Sequence, residues 1–145
     1  EAGVTEAAGE FLTSEVQYAD FTADRATTAM EAIMQTHPEG IAIICEHNDD
    51  TAMAAARAAK GHEAYKNTIF LGFNGDRAAC EGILNGQMTM SVAQMAYEMG
   101  YKAVETMVQA LDGEKVDPVV DSGSDVVTPD NAEERLATLD KQLNG

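Results

Sequence analysis

Two polar junctions carry side chains that could bind a small hydrogen-bonding molecule. An apolar run over residues 41–45 leads to Asn48, and a second run over residues 68–73 leads to Asn74. Both runs are typical of buried parallel strands, and in open α/β sheets ligands bind beyond the carboxyl ends of the strands. Since successive parallel strands end at the same edge of a sheet, the sequence predicts that both asparagines lie on one rim.

Two further residues complete the predicted site. Gln94 follows an alternating apolar segment over residues 88–93, and Phe21 follows a short extended segment over residues 15–19. Amide groups donate and accept hydrogen bonds, as hydroxyl groups do, and an aromatic ring can pack on the apolar face of a sugar ring. Taken singly, each residue also has a structural explanation, because asparagine favours turns and phenylalanine favours a core. The predicted ligand-binding residues are Phe21, Asn48, Asn74 and Gln94.

The sequence gives little support for catalysis or metal binding. The three histidines, His37, His47 and His62, lie in a turn, at a strand end and in a loop, and the Gly-x-Ser-x-Gly motif of a serine nucleophile is missing. Cys45-Glu46-His47 has metal-ligand residue types, but successive strand residues point to opposite faces. The glycine-rich phosphate-binding motifs do not occur either. We therefore expect no catalytic residue, no metal site and no cofactor.

Two acidic residues, Asp49 and Asp50, follow the first junction. Response-regulator receivers hold magnesium with paired acids, but their acid pair follows the first strand, and their other functional residues come in an order that this chain does not show. The sequence instead predicts that one of the two aspartates caps the alanine-rich helix that runs to Lys60.

The composition is that of one acidic, domain-sized chain. Its 145 residues are 45% apolar, which is enough for a single core. The formal net charge of −16, with only nine lysines and arginines, argues against nucleic acid and against an anionic membrane surface as partners. No run approaches the roughly 20 apolar residues of a membrane span. We expect Cys45 and Cys80 to be buried, and whether they form a disulfide stays open.

Strand and helix patterns alternate along nearly the whole chain. Helical spacing is predicted over residues 1–12, 24–36, 49–60, 75–84, 96–111 and from 129 onward, and extended segments over 15–19, 41–45, 68–73, 88–93 and parts of 116–127. This alternation predicts an α/β fold with a doubly wound, mainly parallel sheet that carries helices on both faces.

Five segments of the chain, in this order, resemble the sugar-binding periplasmic proteins of the ribose/galactose type, which are substrate-recognition components of ABC transporters. The segments are Ala19-Asp20-Phe21, the run 48–58 that begins Asn48-Asp49-Asp50, Leu71-Gly72-Phe73-Asn74-Gly75, Ser91-Val92-Ala93-Gln94 and the run 111–116. The resemblance implies that Phe21 packs on a sugar and that Asn48, Asn74 and Gln94 bond its hydroxyls. Asn74 stands where an aspartate is usual, so the preferred sugar or anomer could differ.

The resemblance covers only the second of the family's two lobes. Residues 1–145 are therefore expected to form a single lobe, and we interpret the start at Glu1 as that of a processed or truncated product. In the family, the helix equivalent to residues 96–111 packs on the first lobe. Here we expect it to fold back on its own lobe, to pair with a second copy of the chain, or to need the missing N-terminal lobe.

The resemblance implies a non-catalytic binding function. The intact protein would close a hinge around a monosaccharide or polyol and deliver it to a membrane permease. It would be periplasmic or extracytoplasmic, and lipid-anchored in a Gram-positive cell. The alternative is the effector-binding domain of a lac-repressor-like transcription regulator, which shares the fold and the Asn-Asp signature. The segments around residues 113–116 and 127–131 favour the transport family.

Overall fold

An open four-stranded sheet forms the centre of the computed structural model, which describes residues 9–10, 12 and 16–144. The strands are β1 (Ile43–Cys45), β2 (Ile69–Asn74), β3 (Met90–Gln94) and β4 (Ser124–Val127), and they lie in the order of the sequence. β1 pairs with β2 and β2 with β3 in parallel, whereas β4 is antiparallel to β3. The predicted α/β fold with a mainly parallel open sheet is confirmed.

The described residues form five helices, of which the first precedes the strands and the others lie between or after them. They are α1 (Ala23–Thr36), α2 (Asp49–Ala59), α3 (Arg77–Leu84), α4 (Ala96–Leu111) and α5 (Ala132–Asn144), and a short 3-10 turn covers Glu63–Tyr65. The chain crosses from β1 to β2 through α2 and from β2 to β3 through α3, as parallel pairing requires. The predicted helical ranges agree with these bounds to within a few residues.

The core lies between the sheet and the helices on one of its faces. α1 packs on α2, which covers β2, and α3 packs on α5. Met30, Phe70 and Cys80 are almost fully buried there. Burying a side chain of this size contributes about 1.5–3 kcal/mol, so this face supplies most of the hydrophobic stabilisation.

The opposite face of the sheet is largely uncovered by the described residues. Phe73, Val92 and Val126 lie in one row across three strands, and Phe73 and Val126 are about 40% exposed, at 39% and 43%. Cys45 is exposed on this face as well, so its predicted burial is wrong, whereas Cys80 is buried as predicted and both are free thiols. Among the described residues, helices thus cover one face of the sheet and not both as predicted, and α4 buries none of its residues.

Helix α4 has the predicted bounds but carries an unusually apolar exposed surface. Its exposed large apolar side chains are Tyr97, Met99, Tyr101, Val104, Met107, Val108 and Leu111. Of the three arrangements expected for this helix, fold-back onto its own lobe is therefore not found within the described part of the chain.

Two predicted extended segments differ from those in the structure. Residues 16–19 of the predicted strand 15–19 are not a strand, since β1 pairs only with β2 and the segment finds no strand neighbour; Tyr18 is exposed. Residue 15 lies outside the described residues. Of the extended region 116–127, only β4 is a strand. The predicted helix 1–12 falls outside the described residues, except for 9, 10 and 12.

Candidate functional site

The two asparagine junctions lie side by side at the carboxyl edge of the parallel strands. Asp49, the residue after Asn48, accepts a hydrogen bond at Oδ2 from the backbone N–H of Gly75, the residue after Asn74, over 2.8 Å. This bond joins the β1–α2 junction directly to the β2–α3 junction. The two predicted binding residues therefore belong to one rim.

Gln94 joins the same rim through its side chain. Its Nε2 donates to Oδ1 of Asn74 over 2.8 Å, and both side chains are half-buried. Asn74 has a φ of +135°, which L-residues rarely adopt and which costs on the order of 1–3 kcal/mol. This backbone turn brings the Asn74 side chain to Gln94. The Nδ2 group of Asn74 and Oε1 of Gln94 make no hydrogen bond within the described residues.

Asn48 caps helix α2. Its Oδ1 accepts from the backbone N–H of Thr51 over 2.8 Å and from the Thr51 hydroxyl over 3.0 Å. The prediction that Asp49 or Asp50 forms this cap is wrong, because the helix begins at Asp49 itself and both aspartates lie in its first turn. With Oδ1 used by the cap, Asn48 offers a ligand its Nδ2 donors.

Phe21 lies at the rim as an exposed ring. Its side chain is 70% exposed, so the structure excludes a core role, and its backbone has a φ of +58°. The ring packs on the His47 ring in a T-shaped arrangement, with a centroid distance of 6.2 Å and an interplanar angle of 73°. Since His47 precedes Asn48, this contact brings Phe21 to the β1–α2 junction. A contribution of His47 to the rim was not predicted from the sequence.

Asp49 is a buried residue at this edge that sequence reasoning assigned wrongly. It is 1% exposed and accepts a hydrogen bond from the Ser91 hydroxyl at Oδ1 over 2.6 Å. Burial raises the pKa of this carboxyl, and the bonds from Ser91 and Gly75 offset part of the rise. Gly72 makes room for it, since a Cβ there would lie 2.2 Å from Asp49 Oδ1. A glycine inside an apolar strand is the sequence signal of such a close approach.

Arg135 on α5 is a second residue that the sequence did not single out. It donates from Nε to the carbonyl of Gly75 over 3.2 Å and from Nη2 to the carbonyl of Gln94 over 3.0 Å. Its partners lie more than 40 residues earlier, so no local pattern indicates them. The last helix thereby contacts the ends of both β2 and β3.

A cavity of about 360 Å³ opens beside Asn74 and Gln94. It is lined by Asn74, Gly75, Asp76, Gln94, Ala96, Met99, Arg135 and Leu139. A cavity of about 400 Å³ lies at the other edge of the sheet, where Thr68 and Thr89 precede β2 and β3. The smaller cavity is the relevant one, because it adjoins two of the four predicted binding residues.

Other kinds of site find no basis in the described part of the chain. Histidine, cysteine and acidic side chains form no group of three or more there that could hold a metal ion. Among the same residues, no helix combines the length and apolarity needed to cross a membrane.

The sequence matches the profile of the periplasmic binding protein domain over residues 2–115. Among curated proteins, the ribose import binding protein of Bacillus subtilis (strain 168) is 32% identical over 104 residues, which cover 72% of this chain and 33% of that protein. The chain thus spans about a third of the length of that relative.

Two solved structures are similar to the chain. An ABC transporter solute binding protein from Bacillus halodurans C-125, with bound myo-inositol, gives a TM-score of 0.69 at 29% identity and covers 82% of this chain and 41% of that chain. A galactofuranose binding protein gives a TM-score of 0.80 over 97% of this chain and 49% of the other. At 21% identity, the latter establishes the fold alone.

Proposed function

The chain belongs to the periplasmic binding protein domain family, and on that premise we propose that it is part of the sugar-recognition component of an ABC transporter. It recognises a monosaccharide or polyol at the carboxyl edge of β1, β2 and β3 and performs no chemistry on it. The observation that carries the proposal is the hydrogen-bonded pair of Asn74 and Gln94, which stands on one rim with Asn48 and the exposed ring of Phe21.

The rim groups match a polyhydroxylated ring in chemistry. Within the described residues, the Nδ2 group of Asn74 and Oε1 of Gln94 make no hydrogen bond, so a single hydroxyl can accept from one residue and donate to the other. Asn48 adds donors, and Phe21 offers its face to the C–H side of a ring. Ribose is in the name of the Bacillus subtilis relative, and myo-inositol is bound in the Bacillus halodurans structure, which supports a ligand of this class.

The proposed protein needs more than this lobe. In a two-lobed member, the ligand is enclosed when a hinge closes, and each lobe supplies part of the contacts. We propose that α4, residues 96–111, packs on the missing N-terminal lobe, since its apolar side chains find no cover here. The partners are then a sugar, that lobe or a second copy of the chain, and a membrane permease.

The family also supports an extracytoplasmic location. The chain would act in the periplasm, or outside the membrane of a Gram-positive cell, where a lipid anchor would hold the longer protein. The relatives give no support to the alternative of a transcription regulator, because the proteins that match are named for import and solute binding.

An NMR titration of the 145-residue chain tests the proposal. D-Ribose, D-galactose and myo-inositol are added separately while the side-chain amide signals of Asn48, Asn74 and Gln94 are followed. Because a single lobe supplies only part of the contacts, we expect a Kd on the order of 1 mM or weaker, a binding free energy of about −4 kcal/mol at most. Asn85 is the internal control, since it lines the cavity at the opposite edge.

The outcomes are distinct. Shifts of the three rim amides with an unmoved Asn85 support the proposal. Shifts confined to Asn85, or no shift with any of the sugars up to their solubility limits, would refute it. Tight binding by the lobe alone would contradict the proposed sharing of contacts between two lobes.

A further inference from the structure

Gly75 is held at both of its backbone groups by side chains from distant parts of the chain. Its N–H donates to Oδ2 of Asp49 over 2.8 Å and lies 3.1 Å from Oγ of Ser91. Its carbonyl accepts from Nε of Arg135 over 3.2 Å. A carboxylate from the β1–α2 junction and a guanidinium from α5 thus hydrogen-bond the N–H and the carbonyl group of the same residue.

These hydrogen bonds lie next to the Asn74–Gln94 pair of the rim. Gly75 directly follows Asn74, whose φ is +135°, and has a φ of +65° itself. A Cβ at Gly75 would lie 2.3 Å from Cβ of Ala93, so the residue is pressed against β3. Arg135 also bonds the carbonyl of Gln94, the other member of the amide pair.

We propose that Asp49 and Arg135 are positioning residues, which clamp Gly75 and the end of β3 and thereby set the distance and orientation of the Asn74–Gln94 pair. This role rests on the proposed function, because it assigns the clamp to the sugar-binding rim. Asp49 need not touch the ligand, since it is buried and its two oxygens already accept hydrogen bonds. Arg135 lines the cavity, but its Nε and Nη2 already donate to the carbonyls of Gly75 and Gln94. Because Arg135 lies on α5, this helix also helps to position the Asn74–Gln94 pair.

The geometry gives the two residues different tasks. Asp49 links β1, β2 and β3, because its carboxylate bonds Gly75 at one oxygen and Ser91 at the other. Arg135 instead fastens the rim to the last helix through two carbonyl groups. Hydrogen bonds to charged groups are stronger than those between neutral groups. The bonds from Asp49 and Arg135 can therefore offset the cost of the unfavourable φ at Asn74.

The unaltered chain provides the first test. Hydrogen exchange of backbone amides, followed by NMR, should find the Gly75 N–H protected to the same degree as amides inside β2 and β3. Exchange of this amide at the rate of an exposed loop would overturn the proposal, whatever the variants do.

Two matched pairs of variants provide the second test. Asp49→Asn and Arg135→Lys are compared with Asp50→Asn and Arg57→Lys, which change exposed residues away from Gly75. We expect exchange at Gly75 to accelerate about ten-fold or more in the first pair, as the loss of a charge-assisted bond implies. The side-chain amide signals of Asn74 and Gln94 should move as well, and the control pair should leave both readouts unchanged.

Circular dichroism establishes that each variant is folded before its signals are read. A folded Arg135→Lys or Asp49→Asn protein with unaltered Asn74 and Gln94 signals would overturn the clamp as a positioning device. A sugar titration of the same proteins separates this failure from that of the proposed function. If the clamp variants move the amide pair but the unaltered chain responds to no sugar, the clamp stands and the proposed ligand class falls.

Discussion

Gln94 donates to Asn74 across the gap between two parallel strands, over 2.8 Å, although the two residues are 20 positions apart in the chain. Strand alternation alone would direct the two side chains to opposite faces, because Asn74 is in register with Ala93 rather than with Gln94. The positive φ of Asn74 overcomes this alternation. The local backbone conformation thus brings the two amide side chains together at the rim. We expect both Asn74 and Gln94 to affect ligand specificity.

Replacing Asn74 with aspartate should change which hydroxyls are preferred. The Asn74→Asp carboxylate can still accept from Gln94, but it replaces the free amide donors with a second acceptor oxygen. Ligands that donate at this position should gain about 1 kcal/mol, or several-fold in affinity, relative to ligands that accept. The ratio of the Kd values for D-ribose and myo-inositol, from NMR titrations, measures the change. Asn85→Asp at the opposite edge is the control, and an unchanged ratio in Asn74→Asp would contradict the assignment.

Replacing Phe21 with alanine should weaken ligand binding without destabilising the lobe. The ring is 70% exposed, so the free energy of unfolding should change by less than about 0.5 kcal/mol. Loss of the ring face should reduce affinity by about 0.5–1.5 kcal/mol. Phe70→Ala is the matched control, because Phe70 is 6% exposed and its loss should cost about 3–5 kcal/mol of stability. Urea unfolding and sugar titration measure the two effects, and a large loss of stability in Phe21→Ala would place the ring in the core instead.

The parts of the site that the sequence predicted are those with a local pattern. An apolar run that ends in a polar residue indicates a strand end, and two such runs led to Asn48 and Asn74 on one rim. The bounds of α4 were also predicted, because apolar residues recur at helical spacing regardless of what covers them. Gln94 and Phe21 were predicted in the same way, from the extended segments that they follow, and the family resemblance then gave each of them a role toward a sugar.

The parts that the sequence did not predict depend on partners far away in the chain. Asp49 was expected to cap a helix, but its partners Gly75 and Ser91 are 26 and 42 residues later. Arg135 has its partners 41 and 60 residues earlier. Cys45 was expected to be buried because its run is apolar, yet apolar composition cannot say which face of the sheet a helix covers. Tertiary contacts, rather than propensity, decide each of these cases.

The buried Asp49 should make stability depend on pH in a defined direction. Burial raises the pKa of its carboxyl above the usual 3.8. Between pH 3.8 and that raised pKa, the folded state therefore binds the proton more tightly than the unfolded state. The stabilising contribution is complete below pH 3.8 and is lost as the pH rises through the folded pKa. Urea unfolding at a series of pH values should thus give a flatter profile above pH 3.8 for Asp49→Asn than for the unaltered chain. Equal slopes in the two proteins would argue against a raised pKa of Asp49.

Charges placed on α4 should prevent association through this helix while leaving the lobe folded. Val104 and Met107 are 62% and 60% exposed, so Val104→Glu and Met107→Glu together should change the free energy of unfolding by no more than about 0.5 kcal/mol for each substitution. If the apolar surface of α4 binds a second copy of the chain in the absence of the other lobe, light scattering should find a larger mass for the unaltered chain at high concentration and a monomer for the variant. Met30→Glu, at a residue that is 1% exposed, is the control that should unfold the lobe. A cooperative loss of structure in the α4 variant would instead mean that this helix packs on its own lobe in solution.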